Sequence, residues 1–133
     1  MERQSRIEQI ASIIGLQTNG AEIVVEPRFF DEKLGAEINP VTVNAAFDGQ
    51  GGTSSKLIEM GQSLKLSFPD IFGPYLQVGD NDGTKLLRAF FKDSNNSFET
   101  LRIQLFPNRE IVIQKTQELA DRIGGKIVNE QVS

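Results

Sequence analysis

TKLLRAFFKDSNNSFETLRIQLFPNREIVIQ, from Thr84 to Gln114, is the stretch whose reading decides the fold. Thr84–Lys92 and Phe98–Phe106 are strand-like runs joined by Asp93-Ser94-Asn95-Asn96-Ser97, a turn-rich link short enough to demand an antiparallel hairpin. Upstream, Tyr75–Val78 connects through Gly79-Asp80-Asn81-Asp82-Gly83. Downstream, Pro107-Asn108-Arg109 leads into Glu110–Gln114, a fourth strand-like run. Short loops between neighbouring strands make a meander whose alternating side chains bury one surface.

After Gln114 the apolar period changes from two to 3.6. Thr116, Leu119, Ala120 and Ile123 line one helical stripe, Gly124-Gly125 closes it, and Lys126–Asn129 can form a last short strand. The chain start behaves similarly. Ile7, Ile10, Ala11 and Ile14 recur at helical spacing, Gly15 stops the helix, and Thr18-Asn19-Gly20 turns. Ala21–Phe30 then reads as a strand that lies at an edge or breaks at Pro27, which has no N–H to donate.

Val41–Phe47 alternates as a half-buried strand, although Asn39-Pro40 also resembles a helix cap followed by proline at the first helical position. Asp48–Ser55 is a Gly-rich loop. Lys56–Gln62 reads either as a short helix or as a hairpin arm, and Leu64, Leu66 and Phe68 alternate with Ser63, Lys65 and Ser67 as another strand before Pro69. The expected fold is therefore α+β. A mainly antiparallel sheet with a C-terminal β-meander carries an N-terminal and a C-terminal helix, in one domain over residues 1–133.

Composition narrows the chemistry. A chain of 133 residues, 38% hydrophobic with nine Phe, can bury roughly 65–70% of its unfolded surface without staples. Cysteine and histidine are both absent, which removes thiolate nucleophiles, disulfides, the usual zinc ligands and the commonest general base. No metal or other cofactor is implied. The net charge of −4 comes from well-mixed acidic and basic residues, so no basic stripe offers itself to nucleic acid. Such a balance fits a free cytosolic protein, or one that meets a basic partner surface. With neither an apolar signal segment nor a long apolar run, the expectation is a cytoplasmic protein that does not enter a membrane.

Three patterns carry candidate sites. In Asp48-Gly-Gln-Gly-Gly-Thr-Ser-Ser-Lys56, the glycines Gly51 and Gly52 would let backbone N–H groups approach an anion, with Thr53, Ser54 and Lys56 adding hydroxyls and charge. The lysine follows the hydroxyls, so this is not a phosphate-binding P-loop, and a plain loop with a Ser/Thr helix cap fits the same residues. Second, Arg88 and Lys92 alternate with Leu86 and Phe90, and pairing with the next strand would bring Arg102 onto one concave cationic face suited to a small anionic ligand. Ordinary polar positions of a half-exposed sheet explain these residues equally. Third, the adjacent pairs Phe29-Phe30 and Phe90-Phe91 must send one ring to each side of the sheet. That leaves Phe29, Phe30 and Phe90 as candidates for a self-association surface, or else for cover by the helices or the Pro69–Pro74 loop.

Other patterns fail. Gly79–Gly83 lacks the glutamate a calcium loop needs, since Ala89 occupies that place, and it suits a hairpin turn. The carboxylates Asp31, Glu32, Asp80, Asp82 and Glu110 lie near loops without further signs of catalysis. The functional expectation is a non-catalytic cytosolic module that recognises a macromolecule stoichiometrically, as an inhibitor, immunity protein or adaptor does. A binder of small anionic ligands is the alternative, and a carboxylate enzyme the third.

Overall fold

The computed structural model describes residues 2–48, 52–78, 85–94 and 96–128. Among them run α1 (Glu2–Leu16), β1 (Ala21–Val25), β2 (Phe29–Asp31), β3 (Ala36–Ala46), α2 (Gly52–Ser67), β4 (Phe72–Val78), β5 (Lys85–Ser94), β6 (Ser97–Phe106), α3 (Arg109–Ile123) and β7 (Lys126–Val128). The strands form one sheet in the order β4-β5-β6-β3-β1-β7, with β2 beside the first residues of β3. The fold is α+β, and every pairing is antiparallel except β3 with β6. The turn expected at Gly79–Gly83 falls outside the described residues.

The meander holds through β4, β5 and β6, with Leu87 opposite Ile103 and Ala89 opposite Leu101. It does not hold at Glu110–Gln114, which opens α3 rather than forming a strand. Pro107 leaves the sheet, and Asn108, extended at φ −153°, caps the helix by accepting the Ile111 N–H on its side-chain oxygen at 2.9 Å. Glu110 in the first turn suits the positive end of the helix dipole. Burial of Val112, Thr116, Leu119 and Ala120 then sets the helical face against which the short β-branched run has to conform. At the other end Gly124 adopts a left-handed conformation at φ 73° and donates to the Ala120 carbonyl, as the sequence predicts.

A second correction concerns Ser63–Phe68. These residues continue α2 instead of forming a strand, and Lys56–Gln62 belongs to the same helix. Leu57, Met60, Gly61 and Leu64 are buried at helical spacing, whereas Leu66, one of the three alternating apolar residues, is 84% exposed. The Lys65 ammonium closes the helix by donating to the carbonyls of Pro69 at 3.2 Å and Ile71 at 2.7 Å. At Gly61 α2 lies close on the sheet, where a β-carbon would make ordinary contact with side-chain atoms of both Leu87 and Pro74 at 3.4 Å.

The run from Val41 is strand as far as Ala46, with Phe47 just beyond its end, and Pro40 lies within the same strand, β3. The Pro40 carbonyl accepts the Glu26 N–H at 3.0 Å just where β1 gives way to Pro27. The proline nitrogen faces that same strand end, so a missing N–H costs the ladder little. The Ala21–Phe30 segment accordingly breaks at Pro27 into β1 and β2.

The core divides by sheet face. On one side α1 and α2 cover Ile23, Val43, Leu87, Phe91 and Ile103 with Ile10, Ile14, Leu57, Met60 and Leu64, all at most 3% exposed. Each such side chain contributes about 1.5–3 kcal/mol relative to exposure. On the other side α3 covers β1, β3, β7 and part of β6, packing Leu119, Ala120 and Ile123 on Val24 and Ile127. The helix that packs on β4 and β5 is α2, and it does so from the first side.

Candidate functional site

Alternation along β5 and β6 brings the candidate cations together. Arg88 stands directly opposite Arg102, Phe90 opposite Thr100, and Lys92 opposite Phe98. On the next strand Tyr75 pairs with Arg88. Beyond β6 the parallel register continues the same face through Thr42, Pro40 and Ile38, and Phe29 lies opposite Ile38. The face thus has rows: Tyr75, Arg88, Arg102 and Thr42 in one, and Lys92, Phe98, Ile38 and Phe29 in another. Between them lie Phe90, Thr100 and Pro40.

Within this face the Tyr75 and Phe90 rings stack with centroids 6.2 Å apart and planes 30° from parallel. The Arg88 guanidinium carbon sits 5.4 Å from the Phe90 centroid, a cation–π contact on the outer surface of the sheet. The Arg88 Nε is buried without a hydrogen-bond partner. Among the described residues neither Arg88 nor Arg102 forms an ion pair. The acidic residue that register places nearest the far margin, Glu26, instead accepts the Thr42 hydroxyl at 2.7 Å. Tyr75 and Phe29 are each about half exposed, at 47% and 51%.

The Gly-rich loop is a separate place. Gly51 lies outside the described residues, Gly52 opens α2, and Thr53, Ser54 and Lys56 stand on its first turns. The Lys56 ammonium is taken up locally, 2.8 Å from a Glu59 oxygen and 5.3 Å from the Phe47 centroid. It stands on α2, on the opposite side of the sheet from Arg88, Lys92 and Arg102, and so does not join them. Phe30 also points away from them, since it pairs with Glu37 and its neighbour Phe29 takes the cationic side.

Of the candidate carboxylates, Asp80 and Asp82 lie outside the described residues, and Asp31 and Glu110 serve local structure. Asp31 accepts the backbone N–H groups of Lys33 and Leu34 at 2.9 and 3.1 Å, forming a turn, and Glu110 sits in the first turn of α3. Among the described residues, no three His, Cys, Asp or Glu side chains gather as a metal site would require. The enclosed space bordered by Ile10, Val41, Phe91 and Leu101 amounts to about 10 Å³, far below a ligand pocket.

Two features escape the sequence reading. Tyr75 enters the site only through the register of β4 on β5, which an irregularity between Phe72 and Tyr75 displaces. Under α3, buried Asn44 donates to the buried Thr116 hydroxyl at 3.0 Å, while its side-chain oxygen has no partner. That pair ties α3 to β3, and the contacts of α3 among the described residues fall on β1, β3, β6 and β7. Comparison with protein-family models, with curated proteins and with solved structures returns no match.

Proposed function

We propose that this chain is a non-catalytic binding module that holds a macromolecular partner on the half of its sheet α3 leaves uncovered. The observation carrying this reading is the convergence of Tyr75, Arg88, Phe90 and Arg102 on one accessible face. Aromatic and arginine side chains are the types that concentrate binding energy at protein interfaces. The face is broad and lies on rigid strands rather than in a cleft, which suits a macromolecule better than a small metabolite. Paired strands also hold the side chains in place before binding, so little ordering entropy opposes association.

The test compares the chain with a Tyr75→Ser/Phe90→Ser variant that keeps its melting transition. Both forms are used as bait in extract from the source cells, and the captured species are quantified by mass spectrometry. The expected result is a protein depleted by the variant that, once purified, forms a complex of fixed stoichiometry in analytical ultracentrifugation. Capture that is equal for both forms, or that never resolves into such a complex, contradicts the proposal.

A further inference from the structure

Arg88 and Arg102 are direct cross-strand neighbours on the face of β5 and β6 opposite α1 and α2. Like charges placed opposite one another in a sheet are destabilising, and no described carboxylate relieves this pair with an ion pair. Three other arginines are compensated, Arg6 by Asp70, Arg28 by Glu37 and Arg109 by Glu22, whereas the exposed Arg122, like Arg88 and Arg102, forms no ion pair among the described residues. This face thus holds two half-buried arginines at directly opposed register positions, flanked by the Tyr75–Phe90 stack and by a Phe98–Ile38–Phe29 row in which Ile38 itself is buried.

We infer that this face receives an acidic, apolar peptide segment of a partner protein. One carboxylate accepts from Arg88 and Arg102 together, and neighbouring apolar side chains lie on the aromatic rows. The inference rests on the docking reading above and names the chemistry of the docked segment. Planar guanidiniums donate to a carboxylate in forked pairs, and the bridging anion removes the repulsion between them. Charge complementarity selects the sign of the occupant, and the same charges disfavour a second copy of this face. A peptide is favoured over a nucleic acid because the chain carries a net charge of −4, which repels a polyanion far more than a segment bearing one or two carboxylates. The Tyr75 and Phe90 rings are moreover stacked on each other instead of standing apart to sandwich bases.

Three labelled probes test this against the full chain: a short synthetic peptide alternating glutamate with leucine, its glutamine-for-glutamate counterpart, and an oligothymidylate. Fluorescence anisotropy gives affinities, and amide chemical shifts locate the contact. The glutamate peptide is expected to bind saturably, shifting Arg88, Phe90, Thr100 and Arg102. Its affinity falls at least about tenfold for the glutamine peptide and for an Arg88→Gln/Arg102→Gln protein. The glutamine peptide requires no altered protein, so that arm is independent of any folding defect. Equal binding of both peptides at this face overturns carboxylate recognition while leaving the docking face standing. Tighter binding of the oligothymidylate overturns the peptide assignment. A glutamate peptide that shifts other residues, or none, overturns the inference itself, whereas docking is judged separately by the Tyr75→Ser/Phe90→Ser comparison.

Discussion

Phe90 and Phe91 are neighbours in one strand, yet they belong to opposite environments. Phe91 is 1% exposed beneath α1, edge-on to Phe68 at 5.8 Å and 4.7 Å from the Arg6 guanidinium carbon. Phe90 stacks on Tyr75 under Arg88, on the side no described helix reaches over β4 and β5. Both rings carry an arginine. The inner arginine completes its charge with Asp70 at 3.3 Å, and the outer one forms no ion pair among the described residues. The same aromatic–cation chemistry is therefore charge-compensated on one face and left without an ion pair, among the described residues, on the other. Compensated contacts stabilise a fold, and uncompensated ones are available to a partner.

That contrast can be broken by substitution. Phe91→Ala is expected to cost about 3–5 kcal/mol, because it leaves a cavity in the two-helix core. Urea unfolding should show the loss as a lowered midpoint with an unchanged slope. A smaller effect probes why the faces differ. Thr116→Val strips the buried Asn44 amide of its acceptor and should cost about 1–3 kcal/mol, with earlier hydrogen exchange along α3 than along α2. Phe90→Ala loses a half-exposed stack and should cost only about 1 kcal/mol by the same urea measurement. Smallest of all, Arg102→Gln should leave stability unchanged or raise it by up to about 1 kcal/mol. Any such gain should shrink as salt screens the two guanidiniums in the parent, which thermal melts at low and high ionic strength would reveal. A destabilising Arg102→Gln would mean that the pair is structural and would close the contrast.

Much of the fold is legible where local pattern and burial agree. The hairpin of β5 and β6 follows from period-two alternation across a short turn, so the shared face of Arg88, Lys92 and Arg102 can be read before any coordinates. Gly124 announces the end of α3 because a left-handed residue is wanted there. Local pattern fails where tertiary packing decides. Leu64, Leu66 and Phe68 alternate as a strand would, but Leu57, Met60 and Leu64 form the stripe that α2 buries, and Leu66 is left outside. Ile111, Val112 and Ile113 favour a strand by β-branching, and Asn108 with the buried α3 face outweighs them. The parallel pairing of β3 with β6 links residues about sixty positions apart and has no local signature. For the site, the cations were legible and Tyr75 was not, since its place depends on the irregular β4–β5 register. Net charge and local charge point to different partners: the acidic balance of the chain fits a basic partner surface, whereas the docking proposed at Arg88 and Arg102 calls for an acidic segment.

Within the Phe90-Phe91 pair, Phe90 is only partly buried against Tyr75 and Arg88, and Phe91 is fully buried. Hydroxyl-radical footprinting of the folded chain, read residue by residue by mass spectrometry, measures that difference directly. Strong oxidation of Tyr75 and Phe90 with protection of Phe91 is the expected pattern. Protection of Phe90 to the level of Phe91 would mean that the outer face is already covered, and the binding surface described here would not exist.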